Sequence, residues 1–160
     1  MTKLNQASLK LAAVVLIVAV TVVFWWIVGD QTNEAARQLD AEGVELDYAI
    51  RPVVNLGPAG ERIVGVLACI GAIGAFGVLV LGTYTRKVAF GWWWVLIPLA
   101  GVGAIVGWFW RVLTAGEIGA NIGLGFAVIY ACPLLVVLLT AAAVATRRLQ
   151  RDRERRNHPS

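Results

Sequence analysis

The side chains able to do chemistry are few in this chain, and their spacing is poorly suited to it. Between Asp30 and Glu61 lie seven carboxylates, Asp30, Glu34, Asp40, Glu42, Glu45, Asp47 and Glu61, against Arg37, Arg51 and Arg62. Paired carboxylates can bind calcium or share general acid and base duty, and Glu45 and Asp47 would point to one side of an extended strand. The run from Asp40 to Asp47 lacks the ligand spacing of a calcium-binding hand, however, and neither a histidine nor a nucleophile accompanies it. It reads as a solvated acidic surface able to steer a basic partner.

Cys69 and Cys132 fall singly in apolar surroundings, where a thiolate is disfavoured and no CxxC pair exists. They read as small apolar residues of two helices that bring them face to face. Tyr130, just before Cys132 and the helix-breaking Pro133, has a hydroxyl that needs a partner inside lipid, so Tyr130, Cys132 and Cys69 form a candidate buried polar site. His158 is the sole histidine and stands in a terminal stretch, without a catalytic or haem-ligand role. No catalytic residue, metal site or cofactor is expected.

The elements that would carry these residues are four runs free of Asp, Glu, Lys, Arg and His: Leu11–Val28, Ile63–Leu81, Val88–Trp110 and Asn121–Ala145. Each approaches the ~20 residues with which a helix crosses ~30 Å of hydrocarbon. A composition of 59% hydrophobic and 15% charged residues belongs to the same class. The expected fold is an all-α integral membrane protein: an antiparallel bundle of four transmembrane helices over residues 1–146, with a structured outer loop at 29–62 and a basic tail at 147–160. The absence of ionisable groups within the runs removes the usual mark of an ion path or proton relay. At 160 residues, no separate soluble domain fits beside the bundle.

Lys3, Lys10, Arg86, Lys87, Arg147, Arg148, Arg151, Arg153, Arg155 and Arg156 fall on one side of the expected bundle. Only Arg37, Arg51, Arg62 and Arg111 fall on the other. This bias puts both termini in the cytoplasm of a multi-pass protein of the cell membrane, and the Arg-, Ala- and Val-rich usage points to a bacterium. The net charge of +4 serves the membrane face, with no call for nucleic acid. Leu11–Val28 is longer than the h-region of a signal peptide and ends in Phe24-Trp25-Trp26 without a small-residue cleavage site, so it is expected to be retained.

The short links Gly82–Lys87 and Arg111–Ala120 predict that the second and third helices, and the third and fourth, are antiparallel neighbours. In the long first link, Asp30 is placed to cap a helix from Gln31 to Glu42 ended by Gly43. Val44, Leu46, Tyr48 and Ile50 then alternate as one apolar face of an extended piece, and Pro58 starts the second helix. The echo of Gly71–Ala75 in Gly116–Ala120 is compositional chance.

Small residues four apart, Gly71 and Ala75, Gly103 and Gly107, and Gly119 and Gly123, let helix backbones approach closely. They pack this chain's own helices or, at Gly103 and Gly107, meet another chain. Trp25, Trp26, Trp92, Trp93, Trp94, Trp108 and Trp110 cluster at helix ends as interfacial anchors, and the third run measures roughly 34 Å between its girdles. The basic tail Arg147, Arg148, Arg151, Arg153, Arg155 and Arg156 locks topology and touches lipid.

Defining residues of known four-helix families are missing: the embedded Glu of small multidrug exporters, the loop cysteines of quinone-linked thiol oxidases, and the loop Trp and Cys motif of claudins. Two functions are consistent with the residues. One is a non-catalytic accessory or structural subunit that binds another membrane protein, or itself, through small-residue helix faces and the acidic outer loop. The other is a small homo-oligomeric carrier or channel for a neutral or lipophilic solute, lined by Tyr130 and Cys132. Leu at Gly103 and Gly107 would release a partner in the first case, and Tyr130→Phe would change flux in the second.

Overall fold

The computed structural model describes residues 5–43, 46–51, 56–117 and 122–157. Four long helices dominate it: α1 (Gln6–Val28), α3 (Gly57–Tyr84), α4 (Trp93–Leu113) and α5 (Ile122–Asn157). A short helix, α2 (Glu34–Ala41), and two strands of two residues each, β1 (Asp47–Tyr48) and β2 (Gly116–Glu117), complete the elements, with a 3-10 turn at Phe90–Trp92 before α4. All four long helices are long and apolar enough to span a membrane, which makes the chain a multi-pass helical membrane protein. α1, α3 and α5 exceed the uncharged runs because flanking polar residues continue the same backbone hydrogen bonding into the interface, whereas α4 begins at Trp93, inside the run that starts at Val88, and continues past it to Leu113. The basic stretch from Arg147 is accordingly the last part of α5, continuous with its apolar part.

The packing order differs from the expected one. α1 lies between α3 and α4, and α5 packs on α4 and on the turn before it. α3 and α4 therefore are not packed neighbours along their length, despite their short link. They touch at one end, where Trp93 meets Phe76 edge to face at 5.5 Å and donates from Nε1 to Thr83 Oγ1 at 3.0 Å. The reason lies in the glycines, because Gly65, Gly71 and Gly82 on α3 and Gly103 and Gly107 on α4 open onto α1, while Gly101 opens onto Leu138 of α5. On α3, Gly65 lies under the Trp26 indole, Gly71 faces Ala19 and Gly82 faces Leu9. On α4, a Cβ at Gly103 would stand 2.7 Å from Thr21 Oγ1 and 3.0 Å from the Ile17 carbonyl; at Gly107 it would run into the Thr21 carbonyl. Contacts advance together along α1 and α4, so these two run parallel, whereas those of α3 run opposite to α1. The core, Ala12, Leu16, Ala75, Leu79 and Leu96, sits where the three helices meet.

The Gly103 and Gly107 stripe is thus occupied within the chain and does not offer itself to another. Gly119 lies outside the described residues, and Gly123 is placed only as part of α5. Against backbone there is no flexible side chain to yield. Gly107→Ala is expected to cost about 1–3 kcal/mol of stability, as overpacking does. Gly74→Ala, at a position with no atom within 4 Å of the added methyl, should leave stability nearly unchanged. Unfolding midpoints of the two variants in a mixed-micelle denaturant titration compare them directly.

Candidate functional site

Among the described residues the one buried charged side chain is Arg111, in the last turn of α4 and only 8% exposed. Its Nη2 donates to Glu61 Oε2 at 2.6 Å, and its Nε donates to the carbonyl of Trp25 at 2.8 Å. The guanidinium carbon stands 4.0 Å from the centroid of the Trp25 ring. One side chain thereby joins the C-terminal end of α1, the N-terminal end of α3 and the C-terminal end of α4. Local chemistry favours each contact. A cation suits the carbonyl-rich end of a helix, and Glu61, near the start of α3, suits the amide-rich end. Trp25 is one of the last α1 residues, whose carbonyls lack intrahelical donors; Gly29 N–H serves Trp26 and the Gln31 side chain serves Val28.

Above this pair lies a cap built from the two links on the same end. Thr32 N–H and Oγ1–H both donate to Asp30 Oδ1, at 3.0 and 2.7 Å, and Arg37 Nη2 pairs with Asp30 Oδ2 at 3.2 Å. Gly116 N–H donates to Thr32 Oγ1 at 3.1 Å, and Ile50 N–H donates to the Leu113 carbonyl at 3.1 Å. β1 and β2 pair antiparallel, Asp47 opposite Glu117 and Tyr48 opposite Gly116. The close approach of Leu46 and Tyr48 to Gly116 leaves no room there for a Cβ. Burial of the Asp30 carboxyl favours its neutral form, but hydrogen bonds from Thr32 and the charges of Arg37 and Arg111 outweigh this and hold its pKa below the ordinary aspartate value.

Several expected placements change here. Asp30 does not cap α2; Asn33 does, accepting from Ala35 N–H at 3.2 Å, because Asp30 is engaged by Thr32 and Arg37. Asp30 and Glu61 are ion-paired, so the acidic surface is smaller than composition implies. Val44, Glu45 and residues 52–55 lie outside the described residues, as does His158. Trp25 and Trp26 turn inward, onto Arg111 and Gly65, in place of serving only as interfacial anchors. Trp93 is likewise packed, whereas Trp94 and Trp110 are exposed and Trp92 and Trp108 half-buried.

Tyr130 is not buried: it is 68% exposed on α5, its ring stacked on Phe126 at 6.5 Å. Cys132 is exposed and Cys69 half-buried, on helices that are not packed partners, so the three residues form no common site. The cause is the packing order, which sets α1 and α4 between α3 and α5. Arg147, Arg148 and Arg151 are exposed, and Arg153, Arg155 and Arg156 lie in the same helix. Among the described residues no three His, Cys, Asp or Glu side chains gather as a metal site would. The Nε–H and one Nη2–H of Arg111 are engaged, and through these two hydrogen bonds and the Trp25 ring the side chain clamps three helix ends.

The signal for it was present in the sequence. Arg111 follows Trp108-Phe109-Trp110 and precedes Val112-Leu113, so a charge stands inside a helix that continues past it. Its partner Glu61 is 50 residues away and only tertiary structure selects it. The chain matches no protein-family model, no curated protein and no solved structure.

Two outcomes test this account. Arg111→Met leaves Glu61 unpaired and is expected to destabilise strongly, toward the lower end of the ~3–5 kcal/mol typical of broken buried pairs, because Glu61 keeps 30% of its side chain exposed. The double variant Arg111→Met/Glu61→Gln should recover part of that loss in the same unfolding titration. For Asp30 the folded pKa lies below the unfolded one, so its contribution is present above the ordinary value near 3.9 and lost as pH falls through the folded value. Asp30→Asn should flatten the acid limb of stability against pH below about 4.

Proposed function

We propose that this protein is a non-catalytic subunit of the bacterial cell membrane that packs against a larger membrane protein, with both termini in the cytoplasm. The observation that carries the reading is Tyr130. Eight residues into α5, about 12 Å along the helix axis, its phenol projects outward, 68% exposed, with no hydrogen-bond partner among the described residues. A hydroxyl left in hydrocarbon is unfavourable, and a neighbouring helix from another chain supplies its missing acceptor. α5 packs on α4 and the turn before it, so the face bearing Phe126 and Tyr130 is open to a partner.

The contact surface is therefore moved from the glycine stripe of α4 to the outward face of α5. On α3, Gly74 and Gly77 stay open and admit close approach by a second helix of the partner. The charge bias of the helix ends sets the orientation: Lys10, Arg86, Lys87 and the arginines of the α5 end inside, the Arg111 cap outside. In this orientation the remaining acids of the outer cap face a partner's extracytoplasmic segment.

The carrier reading requires Tyr130 and Cys132 to line a path formed between copies of the chain. Isolation from the native host in nanodiscs separates the two, with a cysteine-directed crosslinker attached at exposed Cys132 in a Cys69→Ser background. A stoichiometric larger protein crosslinked at Cys132 is expected. Its retention should fall about threefold in Tyr130→Phe, an interhelical hydrogen bond in membranes being worth about 0.6 kcal/mol. Recovery of the chain alone, or crosslinked only to itself, would sink the subunit reading, and the latter would favour the carrier.

A further inference from the structure

We propose that the end of the bundle opposite Arg111 binds an anionic phospholipid in a groove between α1 and α4. The groove encloses about 500 Å³, within the range of about 300–1,000 Å³ of small-molecule sites. Lys10, Lys87 and Trp92 stand at its rim, and Ile17, Leu79 and Leu99 line its deeper part. Ile17 lies seven residues beyond Lys10, about 10 Å down the helix axis. Charge is thus confined to the mouth and apolar surface to the depth, the division found in a phospholipid between phosphate and acyl chain.

Charge complementarity selects an anionic headgroup. Among the described residues the lining carries two lysines and no carboxylate. The second groove at this end, between α4 and α5, sets Arg148 beside Asp152, so its charges oppose one another. Trp92 supplies the amphipathic ring that settles at headgroup level.

The backbone beside Lys87 adds an independent observation. Arg86 has φ +56°, the one described non-glycine residue in the left-handed region. That conformation costs an L-residue roughly 1–2 kcal/mol, and it sits in the helix-ending position that glycine ordinarily fills. The turn it makes sends the N–H groups of Lys87 and Val88 back to the Gly82 carbonyl, at 2.9 and 3.1 Å, and sets Lys87 at the mouth of the groove.

This inference rests on the reading that the lysine end faces the anionic cytoplasmic leaflet, but headgroup preference is measurable without assuming orientation or partner. The full chain, released from nanodiscs holding phosphatidylglycerol and phosphatidylcholine of matched acyl chains, is weighed by native mass spectrometry and its retained lipids are counted. Retention of phosphatidylglycerol over phosphatidylcholine is expected, with the preference falling about thirtyfold in Lys10→Gln/Lys87→Gln, each of the two basic residues near such a headgroup contributing on the order of 1 kcal/mol. Both lysines are exposed, so the variant should keep its helix content. Arg148→Gln should leave the preference in place. Equal retention of the two lipids by the unaltered chain would overturn the proposal, as would an unchanged preference in the lysine variant or an equal loss in Arg148→Gln. A change of oligomeric state in place of lipid count would assign the groove to a second copy and overturn it too.

Discussion

Two helices that run parallel place like ends of their dipoles together, and the contact between α1 and α4 raises this problem at short range. Gly103 and Gly107 bring the backbones so close that the carbonyl-rich C-terminal ends lie side by side. Arg111 answers it. Its positive charge stands between the two ends, its Nε–H takes up the Trp25 carbonyl, and the ring of Trp25 lies against its face. Glu61 then balances the charge that Arg111 brings into a nearly closed place, and in doing so ties in the start of α3. The contact between backbones and the clamp at its end support each other: without the glycines Arg111 would not reach α1, and without the cation the paired ends would lack a donor and a counter-charge.

The two ends of the bundle consequently differ in kind. At the Arg111 end the connecting segments fold over the helices, joined by the β1–β2 pair, the Thr32 to Gly116 hydrogen bond and the Asp30–Arg37 pair. At the other end the one link, between α3 and α4, is short, the cations Lys10, Arg86 and Lys87 are exposed, and the spaces between helices open as grooves. The described part of the cap is tied together by these polar contacts, while the groove bearing Lys10 and Lys87 suits contact with the anionic side of a membrane. Along the sides, α5 is held by α4 and presents aromatic and aliphatic residues outward. Lipid accepts the aliphatic ones without cost, whereas the exposed Tyr130 carries a hydroxyl into the same surface.

Much of the architecture is legible in the sequence because hydrocarbon imposes a length and a composition on anything that crosses it. Four runs without an ionisable residue lead directly to four helices, and Pro58 in the first turn of α3 and Gly43 at φ +86° after α2 occupy positions that suit their backbones. The same reasoning misleads at Trp25 and Trp26, because an aromatic at a helix end serves the interface and the interior equally well until its neighbour is known. It misleads at Tyr130 for a related reason: apolar on nearly every side, α5 gives no periodic signal of which face is inward.

What the sequence by itself determined is the class of protein, the number of spans and the spacing of residues along each helix, all consequences of local hydropathy and backbone geometry. The tertiary structure alone decided the neighbour relations. In an environment as apolar as the helices themselves, hydrophobicity does not rank one pairing above another; shape and a few polar contacts do. Link length favours α3 beside α4, yet the glycine faces of both fit α1, and close packing prevails over proximity in sequence. That choice carries Arg111 to Glu61, sets Cys69 and Cys132 apart on α3 and α5, and turns Tyr130 outward.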